Sequence, residues 1–372
     1  MRARRSRSAA GWVLMTTLAL VLTGCAIGGD DGTIPQNALN PAGPVARSQD
    51  ALWDRVFPIA ITVFVLVQGL IIYAVIRFRS KGGDEDLPKQ VAGNTRLEIG
   101  WTIVPALILA GIAIPTVSTI FSLATVGEDP INVRVVGKQY WWEFEYEDPQ
   151  YEGVVTATQL VIPEGREIQL DMQSVSAQQP YDPAAVPEGT VNPSGSVALG
   201  VIHSFWVPQL AGKMDVVPGH TREMKIEADA PGLYLGQCAE FCGLSHPNMR
   251  FSVLATTAEE FDEWIAAQAE PAEVVEEGLA AQGQELFLER QCLTCHTVDG
   301  HPDNLDLRIG PDLTHWNSRE EFAGGILDVQ SDDDITAWLR DPQAEKPGTQ
   351  MTNLNLSDAD IEALVAYLRT LD

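Results

Sequence analysis

The chain has 372 residues, with 51 Asp/Glu against 24 Lys/Arg and a formal charge of -27. That length exceeds one ordinary domain of roughly 50–250 residues. So large an acidic excess, with no basic stripe and no phosphate-cradling glycine loop, excludes a nucleic-acid binder.

The first seven residues include Arg2, Arg4, Arg5 and Arg7, and an apolar stretch over 11–23 ends in Leu22-Thr23-Gly24-Cys25. A basic head, a short apolar core and small residues are the signature of an export signal, here 1–24. The ending resembles the lipobox of bacterial lipoproteins, which implies cleavage before Cys25 and acylation of its sulfur; the alternative is an incidental cysteine. An N-terminal segment over 25–50 leads to two apolar runs, 56–76 and 99–117, within a hairpin over 51–122. Each approaches the roughly 20 residues needed to cross about 30 Å of hydrocarbon. A buried soluble hairpin is the competing reading, disfavoured by two such runs behind an export signal. Arg77, Arg79, Lys81, Lys89 and Arg96 lie between the runs. Positive-inside bias puts that loop in the cytoplasm of a bacterial cell and the rest on the outer face of the plasma membrane. Pro105 and Pro115 are expected to bend the second helix.

Residues 131–146 alternate and are rich in β-branched and aromatic side chains, which predicts strand. Shorter strands are expected over 159–162, 167–172, 196–204, 221–226 and 251–255. Together they predict an all-β sandwich or small barrel within 123–256, with 182–193 as an insertion loop. Residues 261–282 read as a tether leading into a helix, without a core of its own, and the linker between the domains is assigned to 257–277. Helical spacing over 278–287, 332–339 and 357–371, with Ser357 and Asp360 placed to cap the last, predicts an all-α domain over 278–372.

Two short runs carry the chemistry. The first, Gln237 to Met249, packs Cys238, Cys242, His246 and Met249 together, and His203 can supply a second imidazole. Soft thiolate and thioether ligands select copper, and imidazole suits it. Two thiolates four residues apart can bridge two copper ions, with a histidine on each, Met249 as a weak donor and the Glu240 carbonyl within reach. A Cys238–Cys242 disulfide and a single-copper site that leaves one cysteine unused are the alternatives.

This run resembles the dinuclear copper A loop of subunit II of haem-copper cytochrome c oxidases, which has the form Cys-x-Glu-x-x-Cys-Gly-x-x-His-x-x-Met. The resemblance extends from the lipobox to about residue 256 and implies a cupredoxin-like fold. It implies copper ligation by His203, Cys238, Cys242, His246 and Met249, with Glu240 giving its carbonyl. It further implies that the Glu240 carboxylate reaches magnesium or manganese at the boundary with subunit I. Glu98 matches a family glutamate at the mouth of a proton path into subunit I, although a charged residue marking the membrane boundary explains it too. Tyr140, Trp141 and Trp142 match the aromatic stretch where electrons enter; the usual tryptophan position is Tyr140 here.

The second run, Cys292-Leu293-Thr294-Cys295-His296, is the haem c attachment pattern. It predicts thioethers at both cysteines and iron ligation by His296. Met351 is the best candidate for the sixth ligand, with His301 and His315 as competitors, and thioether ligation would raise the potential. A thiol redox motif is the competing reading of Cys-x-x-Cys. The surroundings resemble class I cytochrome c domains, with Thr352 where a proline usually follows the methionine.

The resemblances imply an electron-input subunit of a proton-pumping oxidase. Its expected partners are subunit I, subunit III, membrane lipid, and a cytochrome c or a quinol–cytochrome c reductase complex as donor. The alternatives are the matching subunit of a copper A-containing nitric oxide reductase and a membrane-tethered carrier or redox sensor. Quinol oxidase subunits are disfavoured because they lack the copper cysteines.

Overall fold

A computed structural model of the chain describes residues 36–79, 90, 92–151, 153–175, 200–301, 303–304 and 308–372. The export signal, Cys25, Lys81, Lys89 and the 182–193 insertion lie outside the described residues. Helices α1 (Pro44–Arg77) and α2 (Thr95–Ala124) are both long and apolar enough to cross a membrane, with windows of mean hydropathy 2.6 and 2.1 and no burial there. At about 1.5 Å per residue each outruns the hydrocarbon thickness, so both exceed their expected spans. The extension has a cause at α1, whose first turn docks on the following domain. Ala46 N donates to Leu210 O, and Val45 joins that domain's core. Helix α2 starts where the Asn94 side chain accepts from Arg96 N and Leu97 N, and it continues through Pro105 and Pro115.

Ten strands follow: β1 (Ile131–Lys138), β2 (Trp141–Tyr146), β3 (Val155–Ala157), β4 (Gln159–Pro163), β5 (Ile168–Ser174), β6 (His203–Trp206), β7 (Lys213–Val216), β8 (Arg222–Ile226), β9 (Gly232–Cys238) and β10 (Arg250–Thr256). They form two five-stranded sheets, ordered β3-β2-β1-β5-β8 and β4-β10-β9-β6-β7. Alternation along β1 and β2 buries Val133, Val135, Trp142 and Phe144 against Phe205 and Phe251. Phe205 and Phe251 stack at 4.5 Å, and Trp142 meets Phe205 edge-on at 5.5 Å. Such pairs add about 0.5–1.5 kcal/mol beyond area burial.

Gly236 is required by this packing, since a Cβ there would stand 2.4 Å from the Phe251 ring. Gly236→Ala is therefore expected to destabilise the sandwich by about 1–3 kcal/mol, read as a lower unfolding midpoint by circular dichroism.

The expectation that 261–282 lacks a core needs correction at its start. Helix α3 (Ala258–Gln268) opens with a capping box between Thr257 and Glu260 and buries Phe261 and Ile265. Phe261 packs near Tyr146, Tyr151 and Trp264, so α3 is part of the sandwich core.

The C-terminal unit is built from α4 (Gly278–Glu289), α5 (Asp332–Arg340), α6 (Pro342–Glu345) and α7 (Asp358–Leu368), with a small β11–β12 ladder (Glu321–Phe322 and Leu327–Asp328). Helices α4 and α7 cross closely at Gly283, where a Cβ would lie 2.0 Å from Ala363 O. Ser357 and Asp360 form the expected capping box. Phe287, Leu293, Trp316, Ile361, Tyr367 and Leu368 make a separate core.

Candidate functional site

Strands β6 and β9 pair antiparallel with Phe205 opposite Cys238, which brings the start of β6 beside the end of β9. His203 and Cys238 therefore meet, and their Nδ1 and Sγ atoms are 3.8 Å apart. The chain then turns through the 239–249 loop, closed by Cys238 N donating to Met249 O at 2.9 Å. Cys242 Sγ stands at the hub: 3.9 Å from Cys238 Sγ, 3.7 Å from His246 Nδ1 and 3.8 Å from Met249 Sδ. The Glu240 carbonyl is 3.2 Å from Cys238 Sγ. His203, Cys238, Cys242 and Met249 are all buried.

These donors fit a metal. Two thiolates on one ion at about 2.3 Å each cannot be more than about 4.6 Å apart, and the observed separation lies inside that limit. The cysteines are unbonded to one another, and the second cysteine lies within the cluster, where a one-copper reading would leave it idle. The hydrogen bond shared with Cys242 lowers the Cys238 thiol, while that bond and burial push Cys242 up.

The cytochrome-like unit contains a cavity of about 420 Å³, lined by Cys292, Cys295, His296, Trp316, Met351 and Leu368 among others. His296 Nδ1 lies 2.8 Å from Pro311 O. Donation to that carbonyl fixes the tautomer and leaves Nε2 as the free donor atom. Burial lowers the His296 pKa, which keeps the ring neutral. Gly310 permits this approach, because a Cβ there would sit 2.7 Å from the imidazole. Gly310→Ala is expected to displace His296 and shift the absorption of bound haem, measured by optical spectroscopy of the purified protein.

The two competitors for the sixth position differ from Met351 in their surroundings. Both His315 nitrogens are engaged, Nδ1 with Asp372 O at 2.5 Å and Nε2 with Glu270 O at 2.8 Å. His301 Nδ1 accepts from Asp303 N. Neither lines the cavity.

The same cavity is walled on one side by the sandwich domain, through Gln139, Tyr140, Trp141, Ala157 and Thr158. Tyr140 spans the joint: its hydroxyl accepts from Leu244 N in the cysteine loop at 3.0 Å, and its carbonyl faces the C-terminal unit. Trp141 lies beneath Lys138 Nζ, 4.6 Å from the ring centroid. Trp142 differs, being fully buried between His203 and the core phenylalanines, so it offers no surface to a donor. Glu98 is exposed in the first turn of α2, and its Oε1 accepts from Asn94 N at 3.2 Å.

Sequence reasoning missed three cations. Arg319 lines the cavity, is buried, and has an Nε without a hydrogen-bond partner. Burial pulls its pKa down to about 10. Lys138 and Lys346 are buried at the joint, and burial lowers both, Lys346 to about 7. An isolated lysine or arginine in a sequence carries no sign of burial, so no pattern announced them.

Two apolar spans, a β-sandwich with a thiolate–imidazole cluster and a haem-type helical domain define a membrane-anchored electron-transfer protein with two redox centres. Comparison with known proteins names the family. Residues 35–119 match the cytochrome c oxidase subunit II transmembrane domain, 131–256 match its periplasmic domain, and 280–372 match cytochrome c. The chain is 36% identical over 377 residues to cytochrome c oxidase subunit 2 of Alkalihalophilus pseudofirmus, covering 98% of each. It is 34% identical over 382 residues to the Bacillus subtilis protein of the same name, covering 97% of this chain and 98% of that one. A quinol oxidase subunit 2 of Bacillus cereus is 32% identical over 267 residues, 70% of this chain and 81% of that one. The chain belongs to the cytochrome c oxidase subunit II family, in the form that carries a C-terminal cytochrome c domain.

Proposed function

We propose that this chain receives electrons on the outer face of a bacterial plasma membrane and delivers them to the haem-copper catalytic subunit, where oxygen is reduced to water with proton pumping. The observation that carries this reading is the sharing of one wall, Gln139–Tyr140, by the cysteine loop and the haem-type cavity. His203, Cys238, Cys242, His246 and Met249 would hold a copper pair, with the Glu240 carbonyl. Cys292 and Cys295 would bind haem covalently, with His296 and Met351 on the iron. When bound, these groups supply reversible one-electron storage.

The protein's contribution is to hold the donors still. His203 and Cys238 sit on paired strands, and Met249 is tied to Cys238 through the backbone, so little geometry changes with oxidation state. Pro311 O orients His296, and the unpartnered Nε–H of Arg319 in the cavity wall would be available to a haem carboxylate. Gln139 and Tyr140 provide the contact between the two sites, and Trp141 continues the cavity wall.

Further assignments belong to the same proposal. The Glu240 carboxylate binds magnesium or manganese beside subunit I, Glu98 admits protons from the cytoplasm, and Cys25 is lipidated after removal of 1–24. Subunit III completes the complex, and a cytochrome c or a quinol–cytochrome c reductase complex is the donor. The working units are 51–122, 123–256 and 278–372, with α3 assigned to the second of them.

Residues 277–372 carry 19 Asp/Glu against 6 Lys/Arg, an acidic surface that attracts a basic donor. Salt at about 0.15 M shortens that attraction to roughly 8 Å. Reduction by an external basic cytochrome is therefore expected to slow as ionic strength rises in stopped-flow experiments, and a salt-independent rate would remove electrostatic docking. The function itself is tested by purifying the tagged chain from membranes. A haem-copper catalytic subunit that consumes oxygen with reduced cytochrome c should accompany it; recovery with a nitric oxide-reducing subunit, or alone, would overturn the reading.

A further inference from the structure

The two extramembrane domains meet through an exchange of buried lysines. Lys138, at the end of β1 and fully buried, donates from Nζ to Glu143 Oε2 at 2.7 Å and across the joint to Arg308 O at 2.6 Å. Lys346, 2% exposed, lies just after α6 and donates in the opposite direction, to Tyr140 O at 2.6 Å, while also holding Ala323 O of its own domain at 2.6 Å. Each domain thus inserts one ammonium group toward a backbone carbonyl of the other.

Both anchor points adjoin the proposed redox sites. Arg308 stands three residues before Pro311, whose carbonyl orients His296, and its guanidinium pairs with Glu145 at 3.1 Å. Lys346 leads into the segment ending at Met351, and the neighbouring Pro347 O accepts from Ser245 Oγ, beside His246, at 2.5 Å. Around Lys346 the backbones approach closely: Arg250 N donates to Gly324 O at 2.9 Å, and a Cβ at Gly324 would lie 2.7 Å from Tyr140 O.

A buried ammonium is costly unless its hydrogen bonds are made. Sliding one domain over the other would cost each buried lysine its cross-joint hydrogen bond and leave Lys138 with Glu143 and Lys346 with Ala323 O alone, so they penalise every register but one. We propose that Lys138 and Lys346 form a reciprocal clasp that locks the cytochrome domain onto the copper domain and fixes the internal electron-transfer distance. They are positioning residues, and this role rests on the two-centre reading given above. The tether then works as a rigid joint, and the haem domain delivers electrons without a swinging search.

The purified oxidase complex tests this by time-resolved haem-to-copper electron transfer at several glycerol viscosities. In the native complex the internal rate should not change with viscosity; a rate that falls with viscosity would overturn the clasp with no variant needed. In Lys346→Met and, separately, Lys138→Met, the haem and copper spectra should remain while the internal rate drops by about tenfold and becomes viscosity-dependent, as for a gated step. Amide exchange at residues 321–325 and 346–349 should quicken alongside. An unchanged rate in both folded variants would overturn the proposal. Failure of the underlying reading would be distinct, since the native complex would then lack the copper pair or the covalent haem.

Discussion

Replacing Cys242 by serine is expected to abolish the copper site while leaving covalent haem in place. Cys242 Sγ is the only one of the described donors within 4 Å of Cys238, His246 and Met249 together. Serine keeps the size of the side chain but substitutes a hard hydroxyl for a soft thiolate, which disfavours copper. The loss should exceed the roughly 10–100-fold that follows removal of an outer hydrogen-bond partner of a metal ligand. The helical domain has its own hydrophobic core, so Cys292 and Cys295 should still attach haem. Copper analysis and the haem spectrum of the same preparation check both halves. Full copper retention in the serine variant would contradict the ligand assignment.

Met351→Ala is expected to leave haem bound but lower its midpoint potential by on the order of 100 mV, within the roughly 0.8 V over which axial ligands tune haem. Met351 lines the cavity, whereas His315 has both nitrogens engaged and His301 lies outside the lining. No histidine is placed to take over the sixth position, so a weaker ligand or none would replace the thioether. The methionine–iron charge-transfer band should vanish in the variant. A band that survives would assign the sixth ligand elsewhere.

The chemistry was legible in the sequence because it is concentrated in two short runs, and the expected thiolate, imidazole and thioether donors do come together. The apolar helices were legible for the same kind of reason, since a membrane span must be apolar over its whole length. Much of the sandwich was less visible. Strand β9 begins with Gly232 and is interrupted by Gly236, residues that weaken a strand, yet Gly236 is demanded by the Phe251 ring above it. Strand β7 is short and polar, and it lies at a sheet edge. Helix α3 did have a readable start, Thr257 followed three residues later by Glu260, which the alanine- and glutamate-rich sequence beyond it obscured. The lysine joint was invisible, because each lysine acquires its meaning from a carbonyl more than 160 residues away.

Electron paramagnetic resonance of the full-length chain, purified in detergent with covalent haem and analysed for copper, tests the central claim most directly. Two copper ions per haem are expected, with a hyperfine pattern from one electron shared equally by two copper nuclei. One copper per chain with the spectrum of an isolated blue-copper ion would contradict that claim.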